Sequence, residues 1–520
     1  MRQRQRSRTR GSTLQDADPL PPSRARRVKG LQYQLAGLPR TERTASEMPV
    51  HASPFSGTWY PDNPVALAAL LDDLWKQSEE RTGPFLLPGG RAFLVPHAGL
   101  SYSGTVAAAV YRHLERQQPR CVIVAGFTHR GALDGISIPD VEAYETPLGR
   151  VPVDLELALQ LSSEAPFRMS PESRLCDHSV EIQLPMLRKA LPRATVLPLY
   201  VGRLDSAARE KAADILARCM SPDVVLVASS DLTHFGRDFG FVPFPVDRAV
   251  ADRLRRLDFQ VLESSGSLRE ELFLATLRET SATVCGVDPI ALMLATLRRI
   301  ESGGEVFQEV LDYQTSGETT GDFHHSVSYG SLGFFPYPAF ELDAQAQRVL
   351  LDLARCTLAE YRQTGQKSVP EFPSSGLEAL GRRAPLFVTL HQYGKLRGCL
   401  GRTTPDASLE KSVPELTMAA ALEDSRFDPV SPSEEGISVE ISILSPMKRI
   451  TQAGDFRVNE HGAMLKAKGR QGLLLPQVAT ERNWNAEQFL QALGTKAGAG
   501  GGAHLDPSAK IYVFRAQVIH

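Results

Sequence analysis

The chain has 520 residues, 42 % apolar and 23 % charged, the composition of a soluble globular protein. That length predicts about three domains, with two large ones equally allowed. No stretch of 18 uncharged apolar residues occurs, which argues against a transmembrane helix. The net charge of −2 is uneven: residues 1–47 hold eleven Lys/Arg and four Asp/Glu, a net of +7, so the remaining 473 residues carry −9. An acidic body argues against a nucleic-acid-binding fold, because phosphate recognition needs clustered positive charge.

Residues 1–47 open with MRQRQRSRTR and lack the apolar core of a secretory signal. Their Arg, Ser, Pro and Gln predict either a disordered basic tail or an upstream extension ahead of a start at Met48. The six cysteines are Cys121, Cys176, Cys219, Cys285, Cys356 and Cys399, no two closer than 43 residues. Without a C-x-x-C pair, zinc ribbons, thioredoxin-type sites and a C-x-x-x-C-x-x-C iron–sulfur motif are disfavoured. So few cysteines in so long a chain point to a reducing, cytoplasmic compartment.

From 48 to 338, apolar runs alternate with helical periods, the pattern of βα units around a mainly parallel sheet. Strands are predicted at Arg91–Pro96, Cys121–Gly126, Ala194–Val201, Val224–Ala228, Glu305–Tyr313 and Val327–Phe335. Helices are predicted at Thr105–Glu115, at Ser179–Leu191 despite Pro185, at Ser206–Cys219 and at Pro289–Ile300.

The polar residues fall in a pattern. His97 follows the first strand, His129 the second, and Asp231 and His234 follow VVLVASSD. In an open parallel sheet, ligands bind beyond the carboxyl ends of the strands, so topology gathers these side chains at one rim. A lone histidine after a strand is more often a loop or capping residue. Three such positions on successive strand ends favour a shared site. Imidazole and carboxylate together suit divalent iron, zinc or manganese. Asp177 reads as a helix N-cap, and His178 and Glu181 share a helix face three residues apart. Such a histidine is suited to proton transfer or substrate orientation near neutral pH. Cys285 heads the last helix, where a thiolate would need cationic neighbours or a metal. The competing reading is a buried apolar thiol.

PHAGLSYSG (Pro96–Gly104), AGFTHR (Ala125–Arg130), DHSVEIQLPML (Asp177–Leu187), SSDLTHFG (Ser229–Gly236), VCGVDPI (Val284–Ile290) and the opening FSGTWYP (Phe55–Pro61) resemble the Memo family, also called AmmeMemoRadiSam system protein B. The resemblance spans about residues 48–338. It implies an α/β fold similar to class III extradiol dioxygenases and an iron- or copper-binding site. It further implies His97, His129 and Cys285 as metal ligands, with His178, Asp231 and His234 around them. Where some members have a second histidine, this chain has Arg130, which makes the pocket more anion-friendly.

After Pro336-Tyr337-Pro338, residues 341–520 read as a smaller α+β module. Helical periods cover Leu342–Arg362 and Leu409–Leu422. Strands are predicted at Leu386–Gln392, Ile437–Leu444 and Ile511–Val518, with a turn at Tyr393-Gly394-Lys395. Gly494–Gly502 reads as a mobile glycine-rich loop, since it lacks the order of a phosphate-binding loop. Cys399 lies in LRGCLGR, flanked by small residues and by Arg397, which is suited to lowering its pKa. A thiol nucleophile needs a base, and spacing selects neither His391 nor His461; a packed strand cysteine explains the residue equally well. LRGCLGR, LEDSRFDPVSP, VEISILSP, GLLLPQVATERNW and Lys496-Ala497-Gly498 resemble AmmeMemoRadiSam system protein A, without implying a known reaction.

The two resemblances predict a metal-dependent enzyme, with Fe2+ or copper in the first module and Cys399 acting in the second. Its expected partner is a separate radical S-adenosylmethionine protein, and its expected substrate is aromatic or phenolic. The alternative is a non-catalytic metal-binding scaffold for that partner. Neither membrane nor nucleic acid is expected as a partner.

Overall fold

A computed structural model describes residues 48–171, 175–300 and 306–520. The expectation for residues 1–47 lies outside them, as does Glu305 at the head of a predicted strand. The described residues form one compact unit.

The first module is built on a nine-stranded mixed sheet. At its centre Ala92–Val95, Val224–Ser229, Cys121–Gly126 and Thr195–Val201 lie side by side, all parallel. His325–Pro336 runs antiparallel beside Ala92–Val95 and pairs with Val306–Thr315 and His234–Gly236. On the far side Ile136–Pro139 and Phe167–Ser170 complete the sheet. The runs AFLV, CVIVAG and VVLVAS are buried throughout because helices cover both faces. Successive residues feed opposite cores: Phe93, Val95, Val122, Val124, Val225 and Val227 enter one, and Leu94, Ile123, Leu226 and Ala228 the other.

The second module carries two four-stranded sheets. One orders Lys395–Arg402, Leu386–Gln392, Ile437–Leu444 and Ala516–Ile519, all antiparallel. The other orders Lys448–Ile450, Lys510–Phe514, Gly462–Ala467 and Arg470–Leu474. Helices Ala344–Thr364 and Leu409–Leu422 add Leu350, Ala354, Val413 and Ala420 to the same continuous core that holds Phe93 and Val122. The modules therefore share a core rather than being joined by a bare linker.

Three expectations are corrected. The helix predicted over 179–191 is two helices, His178–Glu181 and Gln183–Ala190, meeting at Ile182. Pro185 falls in the first turn of the second, where its missing N–H is tolerated. The strand predicted at 511–518 is two, Lys510–Phe514 and Ala516–Ile519, one in each sheet of the second module. The glycine-rich run begins inside a helix: Ala486–Lys496 includes Gly494, which is buried where a Cβ would strike the Gly500 carbonyl.

Candidate metal centre

Two residues beyond Val95 and three beyond Gly126, the chain places His97 and His129 at the same rim. Further along the chain comes Asp177, in extended backbone, whose carboxylate accepts the Ser179 N–H and so starts the helix with His178. One ring nitrogen from each of His97, His129 and His178 lies within 4.8 Å of the other two. His97 is buried, His178 half-buried and His129 exposed, so the cluster grades from core to surface.

Asp177 organises two of the three rings. Its Oδ1 lies 2.8 Å from His129 Nδ1 and 3.3 Å from His178 Nδ1, and its Oδ2 accepts the His129 backbone N–H at 3.1 Å. His97 Nδ1 lies 3.1 Å from Ser229 Oγ. With each Nδ1 engaged, Nε2 is the nitrogen left for a metal or a substrate, and the Nδ1 contact fixes the orientation of each ring. Burial, then the charge of His129, holds His97 down to about 3. Burial also holds His178 at about 3, against the opposing pull of Asp177. Both rings are therefore neutral at pH 7, the protonation state a metal needs.

Cys285 reaches this cluster through His97. Its Sγ lies 3.2 Å from His97 Nε2 and accepts the Asp231 backbone N–H at 3.1 Å. Burial, then the Asp231 charge, pushes its thiol up. A bound cation would reverse that preference and favour the thiolate. Asp231 Oδ1 accepts the His97 backbone N–H at 2.7 Å, and burial raises its carboxyl to about 6. These contacts make it a positioning residue for His97 and Cys285. His234 sits with Nδ1 at 3.1 Å from the carbonyls of both Leu232 and Thr283, leaving Nε2 as the nitrogen available to a substrate.

Aromatic rings wall the cluster: Trp59 lies 4.4 Å from His178 and Phe127 4.3 Å from His129, centroid to centroid. Beside it a cavity of about 360 Å³ is lined by Phe127, Thr128, Leu133, Arg203, Cys285 and Asp288. That volume suits a small organic ligand. The sequence pattern did not single out Asp177 as an orienting group, nor Ser229, Trp59 or Phe127. The one available signal was the Asp-His pair at 177–178.

Cys399 belongs to the second module. Thr389 Oγ1 lies 3.3 Å from its Sγ, and its backbone N–H donates to Asp424 Oδ2 at 2.8 Å. Arg397, expected to tune this thiol, instead grips Glu434 through two hydrogen bonds of 2.8 and 2.9 Å. The cations near Cys399 are Arg426, which donates to its carbonyl at 3.1 Å, and Lys496, whose charge interacts with it. Among the described residues no histidine hydrogen-bonds Cys399; His461 Nδ1 accepts the Arg457 backbone N–H instead.

Fold and site together define a mixed α/β protein with a histidine-rich candidate metal centre, joined to a smaller second domain. A family model described as Memo-like protein matches residues 51–333, more than half of the chain, and one described as AMMECR1 matches residues 351–519. The chain belongs to the Memo-like family and carries an AMMECR1 domain fused behind it. The protein memo-1 homolog of Caenorhabditis elegans is 30 % identical over 315 residues, covering 59 % of this chain and 86 % of that protein. A MEMO1 family protein of Methanobrevibacter smithii is 30 % identical over 290 residues, covering 53 % of this chain and 96 % of that protein. The crystal structure of an uncharacterized protein from Pyrococcus horikoshii is 32 % identical, covers 34 % of this chain and 92 % of its own, and has a TM-score of 0.33. Among the described residues, no helix is long and apolar enough to cross a membrane.

Proposed function

We propose that this chain is a metal-dependent enzyme whose divalent ion, Fe2+ or copper, is held by His97, His129 and the Cys285 thiolate. The observation that carries this reading is the convergence of three imidazoles at the strand-end rim, with a thiol 3.2 Å from one of them. Two histidines and one anionic donor suit a non-haem iron site with positions left open. The bound ion would supply Lewis-acid polarisation or redox chemistry. This chain's own residues do the rest. Asp177 and Ser229 hold the rings in orientation, and Asp231 fixes the His97 backbone and the Cys285 sulfur. His178 and His234 hold or move protons at their Nε2 atoms. The aromatic wall and the cavity beside Cys285 support an aromatic or phenolic substrate, the class that the sequence resemblance leads one to expect. In this reading Cys399 acts in the second module on the same substrate or complex, and a separate radical S-adenosylmethionine protein is the partner. Fusion of two modules raises their effective concentration for joint action.

The test is whether the ion has exchangeable positions. Fe2+-loaded protein is mixed anaerobically with nitric oxide and followed by electron paramagnetic resonance. A new iron–nitrosyl signal, absent from His97→Ala, is expected. A centre that takes up no nitric oxide favours the second reading, an inert metal-binding scaffold.

A further inference from the structure

A second group of donors lies behind the first and on the same segment. His51 sits on the strand Val50–Ala52, Cys176 immediately precedes Asp177, and Glu181 ends the helix that His178 begins. One nitrogen, the sulfur and one carboxylate oxygen of these three residues lie within 4.8 Å of one another. His51 Nε2 is 3.2 Å from Glu181 Oε1. An imidazolium–carboxylate pair would account for that contact alone. It leaves Glu181 Oε2 unexplained: the side chain is fully buried, and Oε2 has no hydrogen-bond partner. A buried carboxylate oxygen left unsatisfied calls for an explanation, and a bound cation supplies one.

We propose that His51, Cys176 and Glu181 form a second metal site that binds zinc. Nitrogen, sulfur and carboxylate oxygen are the donors zinc takes, whereas calcium and magnesium take oxygen alone. The His51 side chain is 13 % exposed, which gives the ion an entry and a water the fourth position. The remaining acidic group, Glu210 with Glu270 and Glu271, needs no ion, because Arg298 and Arg299 already neutralise it. Zinc bound here would tie the first strand to the segment that carries Asp177 and His178. The second site is therefore a brace under the first, filled independently of it.

The test uses the full chain carrying Cys285→Ser, which removes the thiol of the first centre. Chelator-stripped protein is titrated with Co2+, a spectroscopic stand-in for zinc. A thiolate-to-cobalt charge-transfer band should grow to one equivalent, fade on adding Zn2+, survive the further change His97→Ala and vanish with Cys176→Ser. Absence of the band, or its survival in Cys176→Ser, overturns the proposal. Should Cys176→Ser fail to fold, His51→Ala decides. Half-saturation at about tenfold more Co2+ or higher supports the site, and unchanged half-saturation overturns it. Loss of metal from the first centre alone leaves this band untouched, so the two readings fail separately.

Discussion

Asp177 meets the Nδ1 atoms of two imidazoles and a backbone N–H of one of them, while capping the helix that carries the other. Its replacement by asparagine keeps the cap, since both residues are good N-caps, but removes the charge that orients the rings. Asp177→Asn is expected to weaken metal binding by roughly 10–100-fold with little change in melting temperature. Competition against a chelator measures this, and unchanged affinity would deny the carboxylate its role. Buried histidines away from the centre set a pH dependence. His113, whose Nδ1 is 2.7 Å from the Ala109 carbonyl, is held down to about 4 by burial. A depressed histidine takes up its proton in the unfolded chain first, so folding stability falls as pH drops from about 6.5 towards 4. His113→Phe should flatten that slope, recovering roughly 1–2 kcal/mol of the acid loss in denaturant titrations at pH 7 and pH 5. An unaltered slope would mean that burial does not depress His113 in the folded chain.

Elements reach the centre through close contacts that leave no room. A Cβ on Gly126, at the end of its strand, would lie 2.6 Å from Ser179 Oγ and 2.8 Å from a Val180 methyl. Both belong to the helix that begins with His178. Gly126→Ala should push that helix away and lower metal affinity by about tenfold, while circular dichroism stays native. Metal binding equal to that of the unaltered chain would contradict this. Strands buried on both faces were legible in the sequence: Cys121–Gly126 is found to the residue, because CVIVAG has no polar side to hide. Ile136–Pro139 and Phe167–Ser170 were not, since four residues each give too short a pattern and their pairing partners lie far along the chain. His97 and His129 were legible as strand-end residues. The bridging role of Asp177 was not, because an N-cap already explains an aspartate before a helix, and His129 lies 48 residues away. Arg397 was misjudged for the same reason: adjacency to Cys399 could not reveal Glu434, which lies 37 residues on.

At the scale of the whole molecule the modules are bound by more than one chain crossing. Phe307, Phe335 and Tyr337 share a core with Leu350, Leu386 and Val413. Arg269 meets Asp455 at 2.9 Å, Glu263 accepts from the Tyr512 hydroxyl at 2.6 Å, and Arg116 meets Glu378 at 3.0 Å. The exposed ion pair contributes little, and the shared apolar core most of the coupling. Calorimetry of the full chain should therefore show one cooperative transition across both modules; two well-separated transitions would mean that the core is not continuous in solution. The central claim, that the strand-end histidines and Cys285 hold a metal, is tested most directly by anaerobic metal analysis of the purified chain beside His97→Ala, His129→Ala and Cys285→Ser. Near-stoichiometric iron or copper is expected in the unaltered chain, with its loss from all three variants. A chain that carries neither metal, or variants that retain it in full, would contradict the account.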